Sequence, residues 1–360
     1  MDYTEIKVEQ LKNSYGRITA DKLLLIGLGI VAVVVMAIMS TYLGAANLGW
    51  KKVINAIGAG LFPGAIRTDK IAYSIIWSVR FPRILAGIIA GAGLAAAGVG
   101  MQGITHNPLA SPFTIGISAA AGLGATIAIV LGHGLMGGYV GTNLIVCNAF
   151  ILCLITTILI LGLSGLRGMT PETPILAGIV VTYLLDALAS ALKYIALEEQ
   201  VSAVVNWLFG SLANVAWNDI LPMALITGVG TLLLFKNSWN LNSIANGDEA
   251  AIAMGVNVRR VRRLTMVLVS LITAGIISFT GVIGFVCVIA PHIARMMIGS
   301  DHRFLCPFSC IIGAILLLSA DTLGRTIFSP IEIPVGIVVS LLGAPFFFYL
   351  FLTKRRDFWS

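Results

Sequence analysis

Long apolar segments alternate with short polar ones along almost the whole chain. Each apolar segment has about the twenty residues that a helix needs to cross the hydrocarbon core of a bilayer. The pattern therefore predicts an all-α integral membrane protein with about ten transmembrane helices. The predicted spans are residues 23–43, 84–103, 114–132, 143–166, 174–192, 219–235, 264–280, 282–298, 304–320 and 334–352.

Composition agrees with this prediction. Of the 360 residues, 58% are hydrophobic and 11% are charged, against about 25% charged in a typical soluble domain. We expect a single membrane domain at 23–352, a cytoplasmic segment at 1–22 and a cytoplasmic tail at 353–360. The first apolar segment is longer than a signal-peptide core and no cleavage motif follows it, so we expect it to be retained as a span.

Lysine and arginine positions predict the orientation. With the N-terminus inside, fifteen of these residues lie in inner segments and eight in outer ones. Because basic residues concentrate in cytoplasmic loops, both termini are expected in the cytoplasm. Six of the eight outer residues fall within 44–83, so that stretch needs a separate reason to be basic. The net charge of +7 is scattered between apolar runs, which argues against nucleic-acid binding.

Small residues dominate the second and third predicted spans. Gly87 and Gly91 lie one turn apart in the second span, and Gly116, Ala120 and Gly124 repeat the pattern in the third. Lipid offers no hydrophobic drive for helix association, so small residues that let backbones approach closely are the means by which such helices pack. We expect both helices to be central.

A polar segment with two prolines separates these spans. Asn107, Pro108 and Pro112 are expected to break the helix there, and Asn107 or Ser111 can cap the next helical start. Irregular backbone at this depth requires surrounding protein or a water cavity. The adjacent His106 is expected to be a satisfied polar residue rather than a ligand.

The longest polar inner loop runs from residue 237 to 263. Asp248 and Glu249 begin a short Ala-rich stretch that Gly255 ends, and a second helical start follows near Asn257. Acidic residues favour a helix N-terminus and glycine favours its end. The pattern predicts a compact helical hairpin on the inner surface, suited to docking a soluble partner, although a merely solvated loop is the alternative.

Asp186 lies within the fifth predicted span, where a carboxylate costs about 2.5–3.5 kcal/mol on insertion scales. Two interpretations stay open: Asp186 lines a pathway and favours a cationic or hydroxyl-rich cargo, or it either pairs with a nearby polar group or lies in the wet outer half of the span. No metal site is expected, because the five cysteines lack CxxC spacing and the four histidines lie far apart in sequence. The cysteines are expected to be small packing residues.

Taken together, several motifs resemble the FecCD-type, BtuC-like permease family of binding-protein-dependent ABC importers. They occur in family order over residues 75–352 and include Arg80-Phe81-Pro82-Arg83, Asn107-Pro108-Leu109-Ala110, Leu176-Ala177-Gly178, Met254-Gly255-Val256, Pro291-His292-Ile293-Ala294-Arg295, Asp301-His302-Arg303, Ala320-Asp321 with Arg325, and Glu332-Ile333-Pro334-Val335-Gly336.

The resemblance implies a type II ABC importer permease in the prokaryotic cell membrane. Its implied partners are a second copy of itself or a similar permease, two cytoplasmic ATP-binding subunits and an extracytoplasmic substrate-binding protein. The chain contains no GxxxxGK[ST] phosphate loop, so ATP and Mg are expected on the partner ATPase, with no cofactor and no enzymatic activity in this chain.

The resemblance also implies roles for individual residues. Arg80, Arg83 and Arg325 would pair with carboxylates on the two lobes of the binding protein, which would explain the basic outer stretch. The coupling helices at 240–260, which fit a cleft in the ATPase, would include Gly247, Asp248, Glu249, Ala250, Met254, Gly255 and Val256.

In the family, the helix matching residues 173–193 lines the pathway, and the turn just before it forms a cytoplasmic gate. Here that turn contains Thr170, Pro171, Glu172 and Thr173. Many relatives carry small hydroxyl residues at this place, so Pro171 and Glu172 depart from the family pattern.

The cargo implied by the resemblance is an iron complex, either a ferric siderophore or haem, with cobalamin or an oxyanion as alternatives. A function of another class, an ion-gradient-driven secondary transporter, would use the broken helix and Asp186 as its binding site. A membrane-embedded enzyme is disfavoured because the sequence has no HExxH motif and no clustered His, Asp and Glu within the predicted spans.

Overall fold

The computed structural model describes residues 3–44, 46, 48–63, 66–132 and 141–353. Over these residues the chain is helical and contains no β-strand. Helices α1 to α15 are, in chain order, Tyr3–Tyr42, Trp50–Leu61, Lys70–Ser74, Phe81–Thr105, Ile117–Leu131, Thr142–Leu166, Thr173–Ile195, Glu198–Leu208, Trp217–Lys236, Ser238–Ala245, Asp248–Ala253, Val258–Thr280, Val286–Ile298, His302–Thr326 and Val335–Thr353.

Each of the ten predicted spans coincides with one of these helices, which confirms the predicted fold class. In the described part of the chain, seven helices are long and apolar enough to cross a membrane, and three shorter apolar helices accompany them. The shorter ones are Ile117–Leu131, Val286–Ile298 and Val335–Phe348. The exact number of crossings, the domain limits and the cytoplasmic termini remain predictions, and residues 354–360 of the tail lie outside the described residues.

Helix α4 lies at the centre of the bundle and packs against α9, α12, α13 and α14. A Cβ atom at Gly91 would overlap the carbonyl of Gly313 on α14, and one at Gly98 would overlap the carbonyl of Cys287 on α13. On α5, a Cβ at Gly124 would overlap the backbone of α6 at Asn148. The prediction that small residues make these helices central is therefore confirmed.

Several helix boundaries differ from the predicted spans, and α1 differs most, because it begins at Tyr3 rather than at residue 23. The second span extends back to Lys70, through α3 and the π-helical segment Ile75–Arg80. The third begins at Ile117 because a separate 3₁₀ turn, Pro112–Ile115, precedes it and Gly116 has a φ of +82°. The eighth begins at Val286 because the backbone turns sharply at Gly281 and Phe285, both at positive φ.

Two of the long helices contribute little to the buried core. The apolar part of α1 is only 6% buried, and that of α7 is 17% buried. Helix α1 contacts chiefly α14, whereas α7 contacts α5 and α6. Their exposed faces are apolar, as suits surfaces that meet lipid or another membrane helix.

Candidate functional site

The inner loop forms the predicted helical hairpin, built from α10 and α11. Gly247, at a φ of +102°, precedes Asp248, the first residue of α11, and Gly255, at a φ of +82°, follows its end. The amide of Val256 donates to the carbonyl of Ala251 (2.9 Å), which satisfies a carbonyl that the helix end leaves free. The second start predicted near Asn257 is also present, because its side chain accepts from the Arg260 amide (3.0 Å).

One face of the hairpin is buried and the other is open. Leu241, Ile244 and Ala251 are buried against the bundle, while Ile252 and Met254 are exposed apolar side chains at 63% and 57%. Glu249 is exposed, and Gly247, Asp248 and Ala250 are partly buried. An anchored hairpin with exposed apolar side chains is a suitable docking element for a soluble protein, because apolar anchors dominate interface energetics.

A buried arginine that the sequence analysis treated only as an inner charge connects this hairpin to the bundle. Arg262 is 1% exposed. It donates from Nε to the carbonyl of Ile104 (3.0 Å), from Nη1 to the carbonyl of Met169 (2.7 Å), and from Nη2 to Asp248 Oδ1 (3.0 Å). One guanidinium group thus joins α12, the end of α4, the turn before α7 and the start of α11.

Helical periodicity is the signal that could have identified Arg262. On α12 it shares a buried face with Val258, Val261, Thr265 and Met266, whereas the neighbouring basic residues point outward. Positions three and four apart lie on one side of a helix. An arginine among apolar positions of this spacing is therefore expected to be buried and to need partners.

A second contact fixes the hairpin at its other end. Asn242 on α10 donates to Asp301 Oδ1 (2.8 Å), and its own Oδ1 accepts from the backbone amide of His302 (2.8 Å). Although partial burial opposes ionisation of Asp301, hydrogen bonds from Arg303 and Asn242 outweigh it and hold the pKa of this carboxyl below its ordinary range. The hairpin is therefore anchored to α14 as well as to Arg262.

The break between α4 and α5 lies beside the same network. Just after the end of α4, Asn107 Oδ1 accepts from the Leu109 amide (2.9 Å), which closes a turn around Pro108. The Nε2 atom of His106 lies 3.6 Å from Asp248 Oδ1. The predicted broken helix is confirmed, and His106 has a polar partner as expected.

The turn before α7, where the gate was expected, is held from inside. Met169 is buried and has a φ of +61°, and its carbonyl is the one that accepts from Arg262. Thr173 Oγ1 donates to the carbonyl of Thr170 (3.0 Å), while Thr170 and Glu172 are exposed and Pro171 is partly buried. Arg262 therefore joins this turn to α11, although the gating role itself stays a prediction.

Asp186 lies on the exposed side of α7, in a polar groove between α5 and α7. The groove has a volume of about 250 Å³ and includes Ser118 and Thr126 of α5 and Thr182 and Lys193 of α7. Among the described residues, no ion pair involves Asp186. Asp186 is therefore exposed in a polar groove, and both its place in a pathway and its contact with cargo remain predictions.

The arginines expected to dock a binding protein are buried. Arg80, Arg83 and Arg325 are 3%, 4% and 3% exposed. Arg83 donates from Nε to Asp321 Oδ1 (2.9 Å) and from Nη1 to Glu332 Oε2 (2.7 Å). Arg325 Nε lies 3.0 Å from the other Asp321 oxygen, and Asp321 itself is 1% exposed.

Arg80 bonds to backbone rather than to carboxylates. Its Nη1 donates to the carbonyl of Thr41 (2.6 Å) and its Nη2 to that of Ala46 (2.6 Å), so it fixes the chain leaving α1. Arg325 Nη2 donates to Ser40 Oγ (2.7 Å) at the same place. In this structure the three arginines hold α1, α4 and α14 together, and their pairing with a binding protein remains a prediction.

Four other basic residues of the outer stretch 44–83 are exposed: Lys51, Lys52, Arg67 and Lys70. They, and not Arg80 and Arg83, form the cationic surface there. Nothing in the sequence pattern distinguished the exposed cations from the buried ones, since all six lie in one segment.

No group of three or more His, Cys, Asp or Glu side chains among the described residues could hold a metal ion. His133, one of the four histidines, lies outside the described residues. The five cysteines are free, and Cys153, Cys287 and Cys306 are buried among the helices.

The FecCD transport family profile matches residues 30–353 of this chain. The chain belongs to the FecCD transport family. It is therefore a multi-pass permease of the prokaryotic plasma membrane and a transport subunit of an ABC importer, and the resemblance noted in the sequence is confirmed.

Three relatives within the family illustrate its range. An ABC transporter permease of Methanocaldococcus jannaschii is 42% identical, over 91% of this chain and 95% of the relative. The hemin transport permease HmuU of Yersinia pestis is 34% identical (93% and 97%), and the cobalamin import permease BtuC of Halobacterium salinarum is 35% identical (85% and 80%).

A solved structure described as an inward-facing metal-chelate type ABC transporter has the same fold. It superposes with a TM-score of 0.78 at 30% identity, over 91% of this chain and 99% of that one. The family assignment therefore rests on both sequence and fold.

Proposed function

We propose that this FecCD permease imports an iron complex, a ferric siderophore or haem, driven by ATP hydrolysis on a separate subunit. Its partners would be a second copy of itself or a similar permease, two cytoplasmic ATP-binding subunits that carry ATP and Mg, and an extracytoplasmic binding protein. The hemin permease and the metal-chelate transporter among its relatives support the cargo class. Cobalamin, named for the Halobacterium relative, is the alternative within the same mechanism.

The observation that carries the ATP-driven mechanism is the Arg262 network. Arg262 bonds at once to Asp248 on the exposed hairpin and to the Met169 carbonyl in the turn before α7. Charge-assisted bonds from a buried guanidinium are short and directional, so a displacement of the hairpin would be passed to the turn rather than absorbed. Closure of the ATPase against α11 would thereby reach the cytoplasmic end of α7.

The pathway is proposed along the exposed side of α7. Asp186, Thr182 and Lys193 face the groove beside α5. In an apolar span, a carboxylate and hydroxyl groups suit a cargo with cationic or hydroxyl-bearing groups. The exposed apolar side chains of α7 around this groove would meet the second permease, which would complete the passage.

Docking of the binding protein is proposed on the outer surface around the buried arginine cluster. Glu332 is the acidic member of that cluster nearest the solvent, with a side chain 38% exposed. A carboxylate of the binding protein that bonds to Arg83 would have to replace Glu332, because Glu332 reaches solvent whereas Asp321, the other carboxylate bonded to Arg83, is buried.

Reconstitution tests this function. Proteoliposomes containing the chain, its ATPase and its binding protein would be assayed with a ferric siderophore, haem and cobalamin, each with and without ATP. We expect uptake of an iron complex that requires ATP and both partners. Uptake of cobalamin but of neither iron complex would identify cobalamin, the alternative, as the cargo. Uptake by the chain without its partners under an ion gradient would contradict the ATP-driven mechanism.

A further inference from the structure

An open apolar groove lies between α1, α2 and α4, and Trp217 at the start of α9 completes its lining. Its volume is about 710 Å³, which falls within the roughly 300–1,000 Å³ of ligand sites in proteins. Almost all of its lining is carbon, from residues such as Val34, Ala37, Ile54 and Leu85. The groove is a cleft built for an apolar ligand.

The groove runs deep along the membrane helices. On α1 it extends over the ten residues from Val33 to Tyr42, or about 13 Å at the rise of an α-helix. On α4 it extends from Phe81 to Ile88, about 10 Å. Since the apolar part of α1 is only 6% buried, this face is open to the hydrocarbon of the bilayer.

The mouth of the groove has the side chains of a membrane interface. Trp50, Trp217 and Tyr42 line it and are 59%, 44% and 48% exposed. Aromatic residues of this kind concentrate where the hydrocarbon meets the headgroups. Trp217 is held in place because its Nε1 donates to the carbonyl of Trp77 (2.6 Å).

Helix α2 covers the mouth as an amphipathic helix. Trp50, Val53, Ile54 and Ile57 face the groove at the i, i+3, i+4, i+7 spacing of one helix face. Lys52 lies on the opposite side of α2, and Lys51 lies at the flank of the apolar face. Such a helix, apolar on one face and basic on the other, lies in the plane of the membrane interface.

A cation lies directly at the rim. The Nζ atom of Lys51 is 5.6 Å from the ring centroid of Trp50, which itself lines the groove. The Lys52 ammonium is 3.8 Å from Asp69, and both side chains are largely exposed. The mouth therefore combines an apolar cleft with positive charge immediately above it.

We propose that this groove binds one anionic phospholipid, with an acyl chain between α1 and α4 and the headgroup phosphate beside Lys51. The apolar lining, which follows about 13 Å of α1 on a face open to lipid, selects a lipid over a soluble protein. The charge at the rim selects an anionic headgroup over a zwitterionic one. The site gives the exposed part of the basic outer stretch a function that the buried Arg80 and Arg83 do not supply.

Native mass spectrometry of the purified transporter complex tests the site, using phosphatidylglycerol and phosphatidylcholine with the same acyl chains. Val34→Trp fills the groove, and Val35→Trp is its control, because Val35 is similarly exposed on α1 but does not line the groove. Ile54→Trp fills the groove from α2 and serves as a second variant. We expect Val34→Trp to lower retained lipid about fivefold and Val35→Trp to leave it unchanged.

The headgroup is tested separately with Lys51→Gln. We expect the wild type to retain phosphatidylglycerol in preference to phosphatidylcholine, and Lys51→Gln to reduce that preference about fivefold, in keeping with one interfacial lysine. Lys236→Gln, at an exposed lysine at the end of α9, is the control and should not change it.

Either of two results would overturn the proposal. The first is equal retention of lipid by Val34→Trp and Val35→Trp. The second is a Lys51→Gln variant that keeps its lipid preference but binds the extracytoplasmic binding protein more weakly, which would assign the cations to protein docking.

Discussion

The two ends of the bundle bury arginines in opposite ways. At the outer end, Arg83 and Arg325 share the carboxylate of Asp321, which is 1% exposed and lies inside the bundle with them. At the inner end, Arg262 is equally buried, but its carboxylate partner Asp248 has a side chain 36% exposed on a surface hairpin. The acid that the two outer arginines share belongs to the core, although Glu332 at the edge of the cluster reaches solvent, and the inner acid belongs to the surface.

This difference predicts which cluster stabilises the fold and which one couples the surface hairpin to the interior of the bundle. A buried pair whose members all lie in the bundle can only hold helices together, and removing one member leaves an uncompensated charge. A buried arginine whose acid lies on a surface element connects that element to the interior. We therefore expect changes at the outer cluster to act mainly on folding, and changes at the inner cluster mainly on coupling.

The largest effect is expected for Asp321→Ala. It leaves Arg83 and Arg325 buried without their shared carboxylate, at a cost of about 3–5 kcal/mol. Thermal unfolding of the purified protein would show a large loss of stability or a failure to fold. Asp69→Asn, at an exposed acid of the outer stretch, is the control and should stay near the wild type; equal stability of the two variants would contradict a structural role for the outer cluster.

A smaller effect on stability, with a larger effect on transport, is expected for Asp248→Asn. The variant keeps the shape of the side chain but removes the charge that meets Arg262 on the partly exposed hairpin. We expect the ATPase to bind normally while transport per ATP hydrolysed falls several-fold. The exposed neighbour Glu249 provides the matched control, Glu249→Gln, and a similar loss there would point to a general effect of charge on the hairpin.

The smallest effect on stability is expected for Glu332→Gln. Glu332 is 38% exposed at the side chain, and ion pairs that reach solvent contribute only about 0–1 kcal/mol. Because this change frees Arg83 on its outer side, it should strengthen binding-protein docking if Arg83 is the docking residue. Unchanged affinity in a binding assay would argue that Arg83 serves the fold alone.

The sequence predicted the helices well because each feature involved is local. Apolar segments of membrane length, prolines between the second and third spans, and Gly255 at the end of α11 all act within a few residues. The small residues of the second span also predicted its central place correctly, since Gly91 meets the backbone of α14.

The charged residues were predicted less well because their roles depend on contacts between distant segments. Arg83 and Asp321 are 238 residues apart in sequence, and Arg262 and Met169 are 93 apart. Counting lysines and arginines by loop gives an orientation, but it treats a buried Arg80 and an exposed Lys51 alike. Only the packing shows which cations lie inside the bundle.

The relation between Arg262 and transport can be measured directly by comparing Arg262→Lys with Arg263→Lys in the reconstituted transporter. Lysine keeps the charge at both positions but cannot hold Ile104, Met169 and Asp248 together with one planar group. We predict that Arg262→Lys hydrolyses ATP yet transports at least about tenfold less per ATP, while the exposed Arg263→Lys matches the wild type. Equal transport per ATP in the two variants would contradict the claim that Arg262 links the hairpin to the turn before α7.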